Sequence, residues 1–381
     1  MNAANPLVIL AAGGTGGHMF PAEALARALI ARGVRTALVT DQRGQAFGES
    51  LPAVEVYRIR ASRLPRYAVD RIKAVFEMGL GALEARRLMR RLKPGVVVGF
   101  GGYPSIPTIL AAALSKVPIV LHEQNALLGR ANRRAALRAQ AIATSFETVA
   151  LVPSGVPTVL TGNPVRPAIL SVRAVPYAAP VAGGPLSILV TGGSQGARVF
   201  SEVVPAAMAL LSDELKARIR IVQQCRAEDL AEAKAAFDAA GVTAELASFL
   251  NDMPARLAAA HLAICRSGAS TVAELGVAGR PAILVPYPFA TDDHQTNNAE
   301  AFAKGGAGWV ISQRILTPKL LAERIAALAA HPETLIRAAE AAREQGRPDA
   351  AERFADLVIE KIGGQGTLPS PPTSTLKDVA A

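Results

Sequence analysis

The sequence predicts an α/β protein built from two Rossmann-like, doubly wound domains that face a central cleft. Three observations predict it: apolar strand-like runs alternate with helix-length runs, a strand–glycine loop–helix unit occurs twice, and polar clusters stand directly after the strand-like runs. Half of the 381 residues are hydrophobic and 19% are charged, a balance that supports sizeable cores and excludes extended disorder.

The first unit reads Leu7-Val-Ile-Leu10, then Gly13-Gly-Thr-Gly-Gly17, then a helical run from Pro21 to Arg32 with Ala24, Leu25, Ala28 and Leu29 at helical spacing. Ala37-Leu-Val-Thr40 is the next strand and ends at Asp41, and Val96-Val-Val98 and Pro118-Ile-Val-Leu121 are further strands enclosing a helix. The same grammar returns at Ile188-Leu-Val190, Gly192-Gly-Ser-Gln-Gly196 and the run after Ala197. Leu262-Ala-Ile264, Ser267-Gly268 and Pro281-Ala-Ile-Leu-Val285 then repeat the later segments. The Pro/Gly-rich residues 164–185 read as a linker. The expected domains are therefore 1–165 and 166–362, with the last helix able to pack back on the first domain. A tail at 363–381 has no periodicity and is expected to be disordered.

Cys225 and Cys265 form neither a disulfide framework nor a Cys-x-x-Cys pair, which fits a reducing cytosolic compartment and inert core thiols. The first 22 residues carry no charge, and a glycine cluster interrupts any apolar signal core, so secretion is not expected. The longest uncharged stretch, residues 174–197, contains Pro176, Pro180 and Pro185 and cannot form a continuous spanning helix.

A glycine loop that closes a strand and opens a helix lets backbone N–H groups approach an anion at the positive helix end. Two such loops point to phosphate chemistry. Gly192-Gly-Ser-Gln-Gly196 is followed by Ala197-Arg198 rather than Lys-Ser/Thr, so it is not a Walker A loop. The first loop approaches a dinucleotide fingerprint, with Asp41 where a ribose-binding acid would stand, and this keeps a nicotinamide dehydrogenase as a competing class. Met19 in place of the third small residue, and the second loop, speak against it. His122-Glu-Gln-Asn125, Ser267-Gly-Ala-Ser-Thr271 and Asp292-Asp-His-Gln-Thr296 each follow a strand and can converge on one cleft. His18 can be a general base there or can merely bond the turn; Glu274, four residues beyond Ser270, can bond ribose hydroxyls or be a solvated helix acid.

Residues 58–93 hold eleven Lys/Arg against three acids, most of the chain's net charge of +10. They are interleaved with Leu64, Tyr67, Val69, Ile72, Val75, Phe76, Met78, Leu80, Leu83, Leu88 and Met89. This mixture suits an anionic bilayer surface or, alternatively, a core helix with a solvated basic face. No nucleic-acid-binding signature occurs, and aromatic content is only 4%, so no nucleic-acid partner is expected.

Taken together, Gly13-Gly-Thr-Gly-Gly-His18, Gly101-Gly-Tyr-Pro-Ser105, His122-Glu-Gln-Asn125, Thr161-Gly-Asn-Pro-Val-Arg166, Gly192-Gly-Ser-Gln-Gly-Ala197, Ser267-Gly-Ala-Ser-Thr271 and Asp293-His-Gln-Thr-Asn-Asn-Ala299 resemble the MurG family over residues 7–360. The resemblance implies a GT-B fold and an inverting transfer of N-acetylglucosamine from UDP-N-acetylglucosamine to lipid I, an undecaprenyl-pyrophosphoryl muramyl pentapeptide. The products are lipid II and UDP. It implies donor contacts at Thr15, Gly16, Gly17, Asn125, Arg166, Ser194, Leu250, Ala269, Ser270, Thr271, Val272, Ala273, Glu274 and Gln295. His18 becomes the first candidate for the base that takes the acceptor C4 hydroxyl proton, with Glu123 in reserve. No cofactor and no metal are expected. An anionic phospholipid surface on the cytoplasmic side of the bacterial plasma membrane is the expected peripheral site. Ser270 and Ala273 stand where relatives can carry Leu and Ser, so backbone contacts should survive there better than side-chain ones. A GT-B transferase for another acceptor is the remaining competitor.

Overall fold

The structure is a computed structural model that describes residues 6–13, 16–41, 51, 53–62, 68–193 and 196–363. The tail beyond Gly363 lies outside the described residues. Along the chain the elements of the first half are β1 (Leu7–Ala11), α1 (Gly16–Ala31), β2 (Arg35–Thr40), β3 (Glu55–Arg58), α2 (Ala68–Leu92), β4 (Val96–Gly99), α3 (Ile106–Leu114), β5 (Ile119–Glu123), α4 (Arg130–Ala135), β6 (Ala141–Thr144) and β7 (Thr158–Leu160). There follow α5 (Pro167–Arg173), β8 (Leu186–Thr191), α6 (Arg198–Ala209), α7 (Asp213–Arg218), β9 (Ile219–Gln224), α8 (Leu230–Ala240), β10 (Thr243–Ala247), α9 (Met253–Ala259), β11 (Leu262–Cys265), α10 (Ala269–Ala278), β12 (Ala282–Leu284), α11 (His294–Lys304), β13 (Gly308–Val310), α12 (Pro318–Ala330), α13 (Pro332–Gln345) and α14 (Ala350–Gly363).

Strands covered on both faces carry apolar residues without polar alternation, and β1, β4 and β11 are such strands, buried at every position. They form two all-parallel sheets in the orders β3-β2-β1-β4-β5-β6-β7 and β10-β9-β8-β11-β12-β13. The two Rossmann-like sheets expected from the alternation are thus present. Successive residues of a strand point to opposite faces, so one strand feeds two cores. Val8 and Leu10 pack with Leu25 and Leu29 of α1. Leu7, Ile9 and Ala11 pack instead with Met89 of α2 and Ile109 of α3.

The first core also contains Phe354, Ala355, Leu357 and Val358 of α14, which lies against α1 and β4. Arg32 of α1 pairs with Glu352 at 2.9 Å and Asp356 at 2.8 Å. The Phe354 ring stacks on His122 at 5.0 Å between centroids and meets Phe100 edge-on at 5.8 Å. The chain therefore passes between the two sheets twice, at residues 160–167 and 346–350, and the crossings touch. Gly162 has φ +87°, and a Cβ there would lie 2.5 Å from the Arg347 Cβ.

Two local expectations change. The helix read as starting at Pro21 starts at Gly16, because Pro21 is not at its first position but inside it, and the glycines and His18 form its first turn. Residues 164–185 are not all linker: α5 starts on Pro167, which pre-sets a helical φ, and it buries Ile169 and Val172 in the second half's core.

Phe354→Ala removes a fully buried ring and is expected to cost about 3–5 kcal/mol. The loss should be read as faster hydrogen exchange of the β1 and β4 amides, with those of β8 and β11 little changed.

Candidate active site

In both sheets the strand order reverses beside the first strand, between β1 and β4 and between β8 and β11. Loops leaving the carboxyl ends of those strands diverge and leave a crevice. Both glycine loops, and the clusters singled out in sequence, leave from these ends or from the neighbouring β5 and β12.

On the first sheet, a Cβ at Gly13 would approach Pro104 Cβ to 2.9 Å, so the absence of a side chain lets the loop after β1 meet the one after β4. Gly101 and Gly102 follow with φ +82° and +70°, a backbone that favours glycine, and their turn closes on the His18 ring. The Gln124 amide donates from Nε2 to His18 Nδ1 at 2.9 Å. Burial lowers the His18 pKa, outweighing hydrogen bonds to the Phe100 backbone and Gln124 that favour the charged ring. Gly17 shares the first turn of α1 with His18, as does the Gly16 backbone; Thr15 lies outside the described residues. Asp41 is buried and accepts from the Tyr103 hydroxyl at 3.2 Å, so it braces the Gly-Gly-Tyr-Pro-Ser turn.

Glu123 ends β5 and is buried. Its carboxylate accepts from the Asn125 N–H at 3.0 Å, Asn125 Nδ2 at 3.2 Å, the Gly129 N–H at 2.8 Å and Asn132 Nδ2 at 2.9 Å. Burial raises its pKa and these four donors pull it down. Four donors on one carboxylate fold residues 123–132 into a fixed loop.

On the second sheet, a Cβ at Gly192 would lie 2.3 Å from the Ala197 nitrogen, and Gly193 and Gly196 have φ +84° and +69°. The turn into α6 is thus as tight as its glycines predict; Ser194 lies outside the described residues. Gly268 N-caps α10 with no side-chain cap, so the first N–H groups of α10 carry the positive helix end to the crevice. Residues 269–274 divide by direction. Ala269, Val272 and Ala273 line a cavity of about 730 Å³ shared with Ser145, Phe146 and Asn163, whereas Glu274 faces Arg166. Ser270 and Thr271 are half-buried at the helix start. Arg166 Nε and Nη2 meet Glu274 Oε1 at 2.9 and 2.8 Å. Burial raises the Glu274 pKa against the pull of this guanidinium. Leu250 buries its side chain in the core with Val272 and Leu275, while neighbouring Phe249 is exposed.

The two halves are tied across the crevice. Asn298 of α11 bonds Asn125 and Ala126 on one side and Ser267 on the other. Asp292 pairs with Arg130 and Arg133 of α4. Gln295 accepts from the Tyr287 N–H through Oε1 at 2.9 Å and from the Ser267 hydroxyl through its carbonyl at 2.7 Å. The structure therefore brings Asn125 and Gln295 to one node and pairs Arg166 with Glu274, while His18 stands apart beside Gln124. Asn298, Asn132 and Gln124 were assigned no role from the sequence, although Gln124 lay within the His122–Asn125 cluster. Asn298 lay within the Asp293–Ala299 motif, but nothing in its spacing set it apart from Asn297.

A model of the glycosyltransferase family 28 N-terminal domain matches residues 8–144, and one of the family 28 C-terminal domain matches residues 187–354. With the two facing parallel sheets, they define a glycosyltransferase of GT-B fold. The chain is 55% identical over 358 residues to the UDP-N-acetylglucosamine–N-acetylmuramyl-(pentapeptide) pyrophosphoryl-undecaprenol N-acetylglucosamine transferase of Rhodospirillum centenum, spanning 93% of this chain and 94% of that one. It is 54% identical to the transferase of the same name from Paramagnetospirillum magneticum, spanning 95% and 98%. The crystal structure of Acinetobacter baumannii MurG matches with a TM-score of 0.78 at 31% identity, over 93% of this chain and 99% of that one. The chain belongs to the MurG family of these transferases.

His122 is fully buried, with only a Gly162 backbone contact to favour its charged form, and its pKa falls to about 3. In the unfolded chain the ring takes up a proton near the ordinary 6.5. The unfolded state therefore binds more protons between these values, and stability falls as pH drops from 6.5 towards 3. Urea unfolding at stepped pH should show that slope, and His122→Gln should flatten it.

Proposed function

We propose that this enzyme transfers N-acetylglucosamine from UDP-N-acetylglucosamine to the C4 hydroxyl of the muramyl sugar of lipid I. The attack inverts the anomeric centre and yields the β(1→4)-linked lipid II and UDP, a step of peptidoglycan synthesis. The observation that carries this reading is the open N-terminus of α10 at the second sheet's switch point, facing the loop that Glu123 fixes on the first. Such an arrangement supports the reading, since dipolar N–H groups suit a diphosphate and a polar loop suits a sugar.

The donor's diphosphate is held by the N–H groups of Ala269, Ser270 and Thr271, by Ser194, and by the Arg166 N–H groups that Glu274 does not engage. Glu274 accepts the ribose hydroxyls, the Leu250 backbone reads the uracil edge, and Asn125 and Gln295 bond the sugar. Val272 and Ala273 complete the helix wall, Gly16 and Gly17 contribute from the first turn of α1, and Thr15 is retained as a donor contact. The departing UDP gains its charge beside α10 and Arg166, which stabilise the leaving group electrostatically.

His18 is the base. Burial keeps its ring neutral, and its Nδ1 lone pair, which accepts from the Gln124 amide, is released from that bond to take the acceptor's proton. Glu123 serves as a positioning residue, since its oxygens are already engaged by four donors within the loop.

Among the described residues no helix is long and apolar enough to cross a membrane. The acceptor's lipid is met instead by α2. Its inner stripe buries Ala74, Gly81, Ala85 and Met89. Its outer stripe exposes Ile72, Val75, Phe76 and Leu83 in one half and Arg87 and Arg90 in the other, beside Leu110 and Leu114 of α3. Apolar residues that enter the lipid boundary, followed by cations at headgroup level, fit the cytoplasmic face of an anionic bilayer. Met89 belongs to the core and leaves the membrane-facing set; Leu64 and Tyr67 lie outside the described residues, and the Val69 side chain is likewise outside them.

His18→Ala should lower kcat with lipid I by about 10²- to 10⁴-fold while calorimetry gives an unchanged Kd for UDP-N-acetylglucosamine. Near-normal turnover would remove His18 as base, and binding of NAD in preference to the sugar nucleotide would remove the transferase reading. Charge reversal of Arg86, Arg87 and Arg90 should weaken binding to anionic vesicles at least about tenfold. Equal binding of the parent protein to neutral and anionic vesicles would remove the electrostatic part of membrane docking.

A further inference from the structure

Asn298 is fully buried near the start of α11, and its amide is divided between the two halves of the molecule. Oδ1 accepts from the Ala126 N–H at 2.8 Å. Nδ2 donates to Asn125 Oδ1 at 3.0 Å and to the Ser267 carbonyl at 3.1 Å. Both amide hydrogens and one lone pair are therefore committed, and two of the three bonds cross the crevice. Each partner leads to a separate part of the proposed donor site. Asn125 is locked on its other side by Glu123. Ser267 precedes the Gly268 cap of α10, and its hydroxyl donates to the Gln295 carbonyl at 2.7 Å.

The geometry points to Asn298 as a positioning residue of the transfer: one amide sets Asn125, which faces the donor sugar, in register with the α10 N-terminus, which faces the diphosphate. The inference rests on the reading of Asn125 as a donor contact. Asn125 reaches the sugar from one wall of the crevice and the α10 N-terminus holds the leaving group on the other, so the register of the two walls sets the anomeric carbon. A buried amide with three partners can hold that placement because every alternative leaves a polar group unpaired. The other cross-crevice tie, from Asp292 to Arg130 and Arg133, differs in kind. The Arg130 side chain is 67% exposed, so this pair is screened by solvent and adds little. The two ties separate general closure from register.

The test is a double-mutant cycle of Asn298→Ala and Asn125→Ala, assayed with UDP-N-acetylglucosamine and lipid I, with Asp292→Ala as a control and melting curves to verify folding. Asn298→Ala is expected to raise the donor KM about tenfold or more, the scale of a lost buried hydrogen bond and an orphaned partner. The acceptor KM should change by less. The double variant should be no worse than the poorer single variant, because the two side chains act as a unit. Asp292→Ala should leave the donor KM within about threefold. Asn298→Ser, which keeps a hydroxyl donor, should fall between wild type and Asn298→Ala, and it replaces the alanine variant in the cycle if that does not fold. Additive effects, or the same donor KM defect in Asp292→Ala, would overturn the inference. If Asn125→Ala raises the donor KM and Asn298→Ala does not, the inference alone fails; if Asn125→Ala leaves it unchanged, the donor-contact reading fails and takes the inference with it.

Discussion

The divergence of loops at the two reversals of strand order is the constraint on which the rest of the molecule depends. A parallel strand can be followed only by a crossover, and a reversal of order sends two neighbouring crossovers to opposite faces of the sheet. Between β1 and β4, and again between β8 and β11, that leaves backbone ends with no covering element. The glycines answer this constraint. Gly13 and Gly192 let neighbouring chain come within distances that a Cβ would forbid, so at these two turns main chain comes to the crevice without side chains in the way. Main-chain lining supplies oriented N–H dipoles at fixed positions, which a polyanionic leaving group requires and flexible side chains supply less well.

Charge in the crevice is arranged around burial. Glu123 and Glu274 are both shielded from water, and burial raises both pKa values. They differ in how the negative charge is held: Glu123 by amide and backbone donors, Glu274 by a guanidinium. The first arrangement is rigid and local, within nine residues of chain, and suits a loop that must keep its shape. The second joins segments 108 residues apart and presents a cation and an acid side by side, which suits a ligand carrying both phosphates and hydroxyls.

The parts of the fold legible in the sequence were those with a period or a special backbone. Leu7–Leu10 and Leu262–Ile264 read as strands of parallel sheets because short apolar runs alternate with helix-length ones, and the glycine loops read as strand-to-helix turns because of their place between the two. Pro21 misled the reading of α1, since proline marks a helix start only by preference and tertiary packing carried the helix five residues earlier. The same composition bias made residues 164–185 look like linker although Ile169 and Val172 anchor α5. The cluster holding Glu123 and Asn125 was found through its place at a strand end, and their roles came only with the family resemblance. Asn298 was not, because its bond to Ala126 spans 172 residues and leaves no mark on local spacing.

The return of α14 to the first sheet has a consequence for how the chain is made. Phe354, Leu357 and Val358 fill the same core as Val8, Leu10 and Leu25, more than 300 residues earlier in synthesis. On the ribosome, the part of the first sheet's apolar face that α1 leaves open stays uncovered until residues 350–363 emerge, whereas the second sheet can close over residues made shortly before or after it. The half made first is thus completed last. Its unfilled apolar face, rather than the crevice, is the surface left open to aggregation during translation, and a chain ending near residue 350 lacks the side chains that complete the first core.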